Sequence, residues 1–304
     1  MQRNNVFLIL PVILLVIFLL AAGCASTPGP GTPTPTPTPS PTSTATVTTT
    51  VPTTAPPAAP SVMVASSSKG NILVDGNGTT LYYFGNDVPG SGTSACTAST
   101  CAALWPPFFT TALVAQSPLV ASDFQTITRS DGLQQITYRG WPLYYYANDV
   151  AAGDVKGDGV LNIWYVMKPD YSVVIMKNTN AGTYLADGQG KTLYVFANDQ
   201  SGVSTCTGSC IAVWPAFKAS AVTIPSGLAG SSFTTIQRTD GTTQSTYLGM
   251  PLYYYSGDSK PGDTLGKGIG GVWSVAPLTA LPRTTVTTPP TTTIPSGGGG
   301  YGGY

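Results

Sequence analysis

The chain of 304 residues has no histidine, and all 13 of its acidic residues are aspartate, so glutamate is missing too. Without His there is no Ser-His-Asp or Cys-His nucleophile unit, no His-ligated zinc, copper or haem, and no imidazole switch near neutral pH. Without Glu there is no HExxH metalloprotease motif, and long solvated helices lose one of their better formers. Charge is scarce: 9% of residues are charged and 13 cations balance the 13 acids, which argues against nucleic acid as a partner. Gly 35, Pro 27 and Tyr 16, together with abundant Thr, make a composition of turns and strands.

Residues 1–24 read as an export signal. Arg3 supplies the positive start, Val6 to Leu20 is apolar apart from Pro11, and Leu20-Ala21-Ala22-Gly23 leads into Cys24. Small residues before a Cys resemble a lipobox, in which the Cys24 thiol is acylated and becomes the new N-terminus. The alternative is an uncleaved anchor helix at the short end of a membrane span. Both readings tether the chain to the membrane on its extracytoplasmic side, at the cell surface. Residues 25–60 are almost wholly Thr, Pro, Ser and Ala and predict a disordered, extended stalk. Residues 279–304, rich in Thr and Pro and closing GGGGYGGY, predict a disordered tail.

Between them the sequence repeats. Leu81-Tyr82-Tyr83-Phe84 with Asp87 returns as Leu193-Tyr194-Val195-Phe196 with Asp199, and Cys96, Cys101 and Trp105-Pro106 return as Cys206, Cys210 and Trp214-Pro215. Arg129, Asp131-Gly132, Tyr138 and Trp164 likewise return as Arg238, Asp240-Gly241, Tyr247 and Trp273, each 109 residues on. This defines repeat module 1 over 61–169 and repeat module 2 over 170–278. Each module also looks duplicated inside, because Tyr144, Tyr146 and Asp149, and then Tyr253, Tyr255 and Asp258, repeat the spacing of Tyr82, Phe84 and Asp87. The pattern Tyr-x-aromatic-x-x-Asp therefore occurs in four half-repeats.

This quartet, with the lipobox and the Cys…Cys…Trp-Pro segment, resembles the secreted-repeat lipoproteins that carry a Yx(FWY)xxD motif. The resemblance implies an extracytoplasmic, repeat-built protein of unestablished function.

With the motif read as a strand, Tyr82 and Phe84 face one side and Leu81 and Tyr83 the other, which suits a strand packed on both faces. The Asn-Asp pairs at 86–87, 148–149 and 198–199 predict turns, with the motif aspartates capping them. Further strands are expected at Val62–Ser66, Asn71–Asp75, Phe124–Arg129, Gln135–Arg139 and Ile163–Lys168 with their second-module counterparts, and hairpin turns at Asp131-Gly132 and Asp240-Gly241. No stretch after the signal keeps a helical period. The expectation is an all-β fold of two tandem antiparallel sandwich- or barrel-like modules, with one four-bladed propeller-like domain as the alternative.

Candidate chemistry is thin. In an oxidising compartment Cys96–Cys101 and Cys206–Cys210 are expected as disulfides; redox-active pairs or one shared four-thiolate metal site are the alternatives. Asp154 to Val160 partly matches a calcium loop but has Lys156 at the third position and Tyr165 at the twelfth, so no metal site and no cofactor is expected. Tyr82, Tyr83, Tyr144, Tyr145, Tyr146, Tyr253, Tyr254 and Tyr255, with Trp105, Trp141 and Trp214, are expected mainly as core, the alternative being stacking platforms for sugars or flat ligands. Asn77-Gly78-Thr79 is an N-glycosylation sequon. The chain reads as a non-enzymatic surface lipoprotein that binds or scaffolds, with an envelope glycan or surface protein as partner. A redox or electron-transfer accessory and an Asp-based hydrolase are the alternatives.

Overall fold

Val62–Ser67 (β1) and Gly70–Asp75 (β2) each carry a short apolar run, Val62 to Ala65 and Ile72 to Val74, and pair around a short turn as an antiparallel hairpin, with Val62 opposite Asp75. They open a computed structural model that describes Ala59 and residues 61–279. The predicted export signal with Cys24, almost all of the stalk and the tail beyond Thr279 lie outside the described residues.

Tyr82–Phe84 (β3) follows the hairpin, and Ser99–Leu104 (α1) is a short helix carrying the second cysteine of module 1. Phe124–Thr128 (β4), Gln134–Tyr138 (β5) and Trp141–Pro142 (β6) form a three-stranded sheet, and Trp164–Val166 (β7) pairs back onto β3. Module 2 repeats this series as Val173–Asn178 (β8), Gly182–Asp187 (β9), Tyr194–Phe196 (β10), Ser209–Val213 (α2), Phe233–Gln237 (β11), Thr243–Tyr247 (β12), Met250–Pro251 (β13) and Trp273–Val275 (β14).

The fold is all-β, built as six small antiparallel sheets of two or three strands with no closed barrel among the described residues. The expected strands are present to within two residues at either end. Two features differ from expectation. The helices α1 and α2, of six and five residues, are too short to leave a helical period in the sequence. The Asp131-Gly132 turn is the middle of a longer connection, since the β4–β5 ladder ends at Thr128 opposite Gln134.

Each half-repeat centres on a closed ring of three backbone hydrogen bonds. Leu81 N–H donates to the Leu73 carbonyl, Leu73 N–H to Met167 and Met167 N–H to Leu81, at 3.0, 2.8 and 2.7 Å. In the second half-repeat Leu143 donates to Ile136, Ile136 to Phe108 and Phe108 to Leu143, at 3.0, 2.8 and 2.8 Å. Met167 thus ends the second copy but completes the ring of the first, and Phe108 does the reverse. Module 2 makes the same exchange through Ala276 and Phe217. Buried backbone groups must be paired, so a half-repeat cannot satisfy itself without its sister. The sheets themselves are shared, since β3 of the first copy pairs with β7 of the second and β10 of the third with β14 of the fourth, so no copy forms a separate blade.

Side chains alternate as the strand period requires. Tyr82 and Phe84 enter one apolar cluster with Trp105, Tyr144 and Trp164, while Leu81 and Tyr83 enter a larger one that continues through module 2. The modules also meet through backbone: on β8, Lys177 N–H donates to the Gly85 carbonyl at 2.7 Å, and Ile175 N–H to the Tyr83 hydroxyl at 3.3 Å. Only glycine allows this approach, because a Cβ on residue 85 would stand 2.8 Å from the Ile175 carbonyl oxygen.

Candidate functional site

The two copies of the motif in a module face each other. Tyr82 and Tyr144 exchange backbone hydrogen bonds at 2.8 and 3.0 Å, and Tyr194 and Tyr253 do so at 2.8 and 2.9 Å. That places each tyrosine ring over the turn of the opposite copy. The Tyr82 hydroxyl donates to Asp149 Oδ2 at 2.6 Å and the Tyr144 hydroxyl to Asp87 Oδ2 at 2.7 Å. In module 2 Tyr194 donates to Asp258 at 2.8 Å and Tyr253 to Asp199 at 2.6 Å. The other oxygen of each carboxylate accepts a backbone N–H from the loop beyond it: Ala95, Lys156, Thr205 and Leu265 respectively for Asp87, Asp149, Asp199 and Asp258. The motif is therefore a reciprocal clasp between copies. Capping of a residue's own turn falls instead to Asp75, Asp187, Asp154 and Asp263.

The middle aromatic of the motif closes a stack of four rings. Phe84 lies on Trp164 at 4.0 Å between centroids, Trp164 on Trp105 at 3.8 Å, and Trp105 on Tyr146 at 4.4 Å. Phe196, Trp273, Trp214 and Tyr255 repeat the order at 4.4, 3.7 and 4.5 Å. The loop read as a partial calcium site covers this stack. A Cβ on Gly157 or Gly266 would meet Trp105 or Trp214 at 2.8 Å, which explains the glycines. Its acids already have partners: Asp154 pairs with Lys156 at 2.8 Å, and Lys69 stands 3.1 Å from Asp158 Oδ2, off the line of a hydrogen bond, so charge alone holds that oxygen.

Both cysteine pairs are disulfides, Cys96–Cys101 and Cys206–Cys210. A buried arginine fastens each loop. Arg129 donates to the Cys96 carbonyl and to Gln135, and Arg238 donates to the Cys206 carbonyl and to Gln244. Among the described residues no group of three or more potential metal ligands is present. Burial pushes Asp87 up to about 7, with the Ala95 N–H, Tyr144 and Arg129 opposing it. Asp199 and Asp258 are also raised by burial. The four clasp tyrosines lie well above their ordinary range, first through burial and then through the neighbouring carboxylates.

A cavity of about 440 Å³ opens where the modules meet. Its wall includes Tyr83, Arg139, Trp141 and Lys168 from module 1, and Tyr171, Asp187, Gln189, Lys218, Ser220 and Tyr254 from module 2. Trp141 is fixed by donation from Nε1 to the Gly188 carbonyl at 3.0 Å. Arg139 occupies the left-handed region at φ 48°, and its module 2 counterpart Leu248 does the same at 51°, so the strained turn belongs to the fold and not to this cavity. Burial pulls the Lys168 ammonium below its ordinary range.

Four successive segments, 63–108, 125–168, 176–218 and 234–277, match the family described as a secreted repeat of unknown function. The chain belongs to that family. Neither a curated protein nor a solved structure matches it. Each secreted repeat is one half-repeat of the fold, and the family's character places the chain outside the cytoplasm. Among the described residues no helix is long and apolar enough to cross a membrane.

Across these secreted repeats eight of the twelve motif residues come together in two clasps, one per module, and the other four, Phe84, Tyr146, Phe196 and Tyr255, end the two ring stacks. Cys24 lies outside the described residues. Asn77 is exposed on the turn after β2. Of the aromatic residues weighed as platforms, Tyr82, Tyr83, Tyr144, Tyr253, Trp105, Trp141 and Trp214 are buried, and Tyr145, Tyr146, Tyr254 and Tyr255 are half-buried. Sequence reasoning missed the arginine fastenings and the cavity. A usable signal existed for part of the cavity: five of its wall residues fall where the modules differ, although Tyr138, Asp187, Phe217 and Tyr254 have identical counterparts in Tyr247, Asp75, Phe108 and Tyr145. Tyr83, Arg139, Trp141 and Lys168 correspond to Val195, Leu248, Met250 and Pro277, and Lys218 corresponds to Phe109.

Proposed function

We propose that this chain is a lipid-anchored, non-catalytic binding protein of the cell envelope, and that its ligand sits in the cavity between the two modules. The observation that carries this reading is the divergence of the modules at the cavity wall. Positions that build the clasp and ring stack keep their residue types, as do the wall residues Tyr138, Asp187, Phe217 and Tyr254, whereas Tyr83, Arg139, Trp141, Lys168 and Lys218 do not. The volume suits a small ligand or a short stretch of a polymer. The alternatives have less support. The four module cysteines are paired in arginine-fastened loops, and each motif carboxylate has both oxygens engaged, leaving none poised as a nucleophile or base. The anchor rests on the sequence around Cys24.

The test uses the full chain in its own membranes. Ser220→Trp, at an exposed wall position, fills the cavity and is expected to lower retention of solubilised envelope polymer about tenfold without shifting the melting temperature. Cys24→Ser is expected to release the chain into the medium. Unchanged retention by the first variant overturns the cavity reading, and continued membrane attachment of the second overturns the anchor.

A further inference from the structure

The cavity wall carries more donors than the protein itself uses. Lys218 makes no ion pair or hydrogen bond among the described residues and is exposed. Arg139 commits Nε to Asp123 at 3.1 Å and Nη1 to the Pro169 carbonyl at 2.7 Å, leaving Nη2 unspent. Lys168 gives one hydrogen to the Ile224 carbonyl at 3.1 Å and keeps two. The one acid on the wall, Asp187, is already occupied: Oδ1 accepts the Gln189 and Lys191 N–H groups, and Oδ2 accepts the Tyr254 hydroxyl. Three of the chain's 13 cations therefore converge on a cavity with no idle carboxylate.

The rest of the wall narrows the chemistry. The side chains of Gln189 and Ser220 make no hydrogen bond among the described residues, so both can donate to or accept from hydroxyl groups. Tyr171 and Tyr254 are half-buried and offer flat apolar surface beside these polar groups. A purely apolar ligand would cover ammonium and guanidinium groups without pairing them, which is costly. A neutral sugar would leave the same charges unanswered.

Resting on the cavity reading above, we infer that the ligand is a sugar chain bearing anionic groups, carboxylate or phosphate. The anions meet Lys218, Lys168 and the free edge of Arg139; the ring hydroxyls meet Gln189 and Ser220; a sugar face lies on Tyr171 or Tyr254. A guanidinium edge and ammonium groups suit either anion, so the two sources are separated by experiment.

Calorimetric titration of the full chain with oligogalacturonate, phosphorylated oligomannose and neutral oligomannose decides the matter. One or both acidic chains are expected to bind at least about tenfold more tightly than the neutral one, and more weakly as salt rises. Lys218→Glu is expected to weaken acidic binding about tenfold. Lys260→Glu makes the same charge change outside the cavity wall and is expected to leave it unaltered. Equal weakening by both variants means diffuse attraction and overturns the inference. Equal binding of the neutral chain, abolished by Ser220→Trp, overturns the anionic preference but leaves the cavity reading standing. No binding of any of the three also overturns the inference, and the cavity reading then stands or falls on the envelope-polymer retention assay.

Discussion

Trp164→Ala is expected to lower unfolding stability by about 3–5 kcal/mol, the range for truncating a large buried aromatic. Trp164 is 2% exposed and touches three ring partners: it stacks on Phe84 and Trp105 and receives the edge of Tyr144 at 5.1 Å. Its removal leaves a gap in the middle of a four-ring column, which neighbours fixed by the β3–β7 ladder cannot close. Both stacked contacts, each worth about 0.5–1.5 kcal/mol beyond burial, go with it. Denaturant titration of the purified protein measures the loss. A change below about 1 kcal/mol would mean that the column packs far more loosely than its geometry indicates.

The second large effect is on pH dependence. Burial raises Asp87 to about 7 in the folded state from an ordinary value of 3.8. A carboxyl whose folded value is raised stabilises the fold fully below its unfolded value and loses that contribution as pH climbs through the folded value. Stability is therefore expected to decline between about pH 4 and pH 8, by up to roughly 4 kcal/mol from this group. Asp199 and Asp258, raised by burial as well, act in the same direction. Asp131, Asp154 and Asp240 are lowered, chiefly by hydrogen bonds from Arg129, Lys156 and Thr242 respectively, so they act below the ordinary carboxylate value and favour folding as pH rises from the acid limit. Together these effects put the maximum on the acid side of neutrality. Asp87→Asn keeps an acceptor for the Ala95 N–H and should flatten much of the decline. An identical slope in the variant would show that Asp87 does not titrate in this window.

Much of this architecture was legible in the sequence. The 109-residue spacing from Trp164 to Trp273 reflects the repeated module, and alternation in Leu81 to Phe84 correctly divided its side chains between two clusters. The partner of each motif residue was not legible. Every copy contains both a tyrosine and an aspartate, so pairing within a copy and pairing across copies fit the pattern equally well. The exchange of Met167 and Phe108 between half-repeats, a long-range backbone arrangement, decides it. The cavity was hidden for a related reason: it brings Tyr83 together with Tyr254, and no local period connects them. The short helices escaped because five or six residues hold less than two turns.

The Tyr-x-aromatic-x-x-Asp motif fastens one copy to the other. A double-mutant cycle on Tyr144→Phe and Asp87→Asn, read by denaturant unfolding at pH 8, tests it most directly. A coupling energy of about 0.5–3 kcal/mol is expected for this cross-copy pair, and a value near zero for Tyr82→Phe with Asp87→Asn, the pair within one copy. Coupling confined to the within-copy pair, or absent from both, would contradict it.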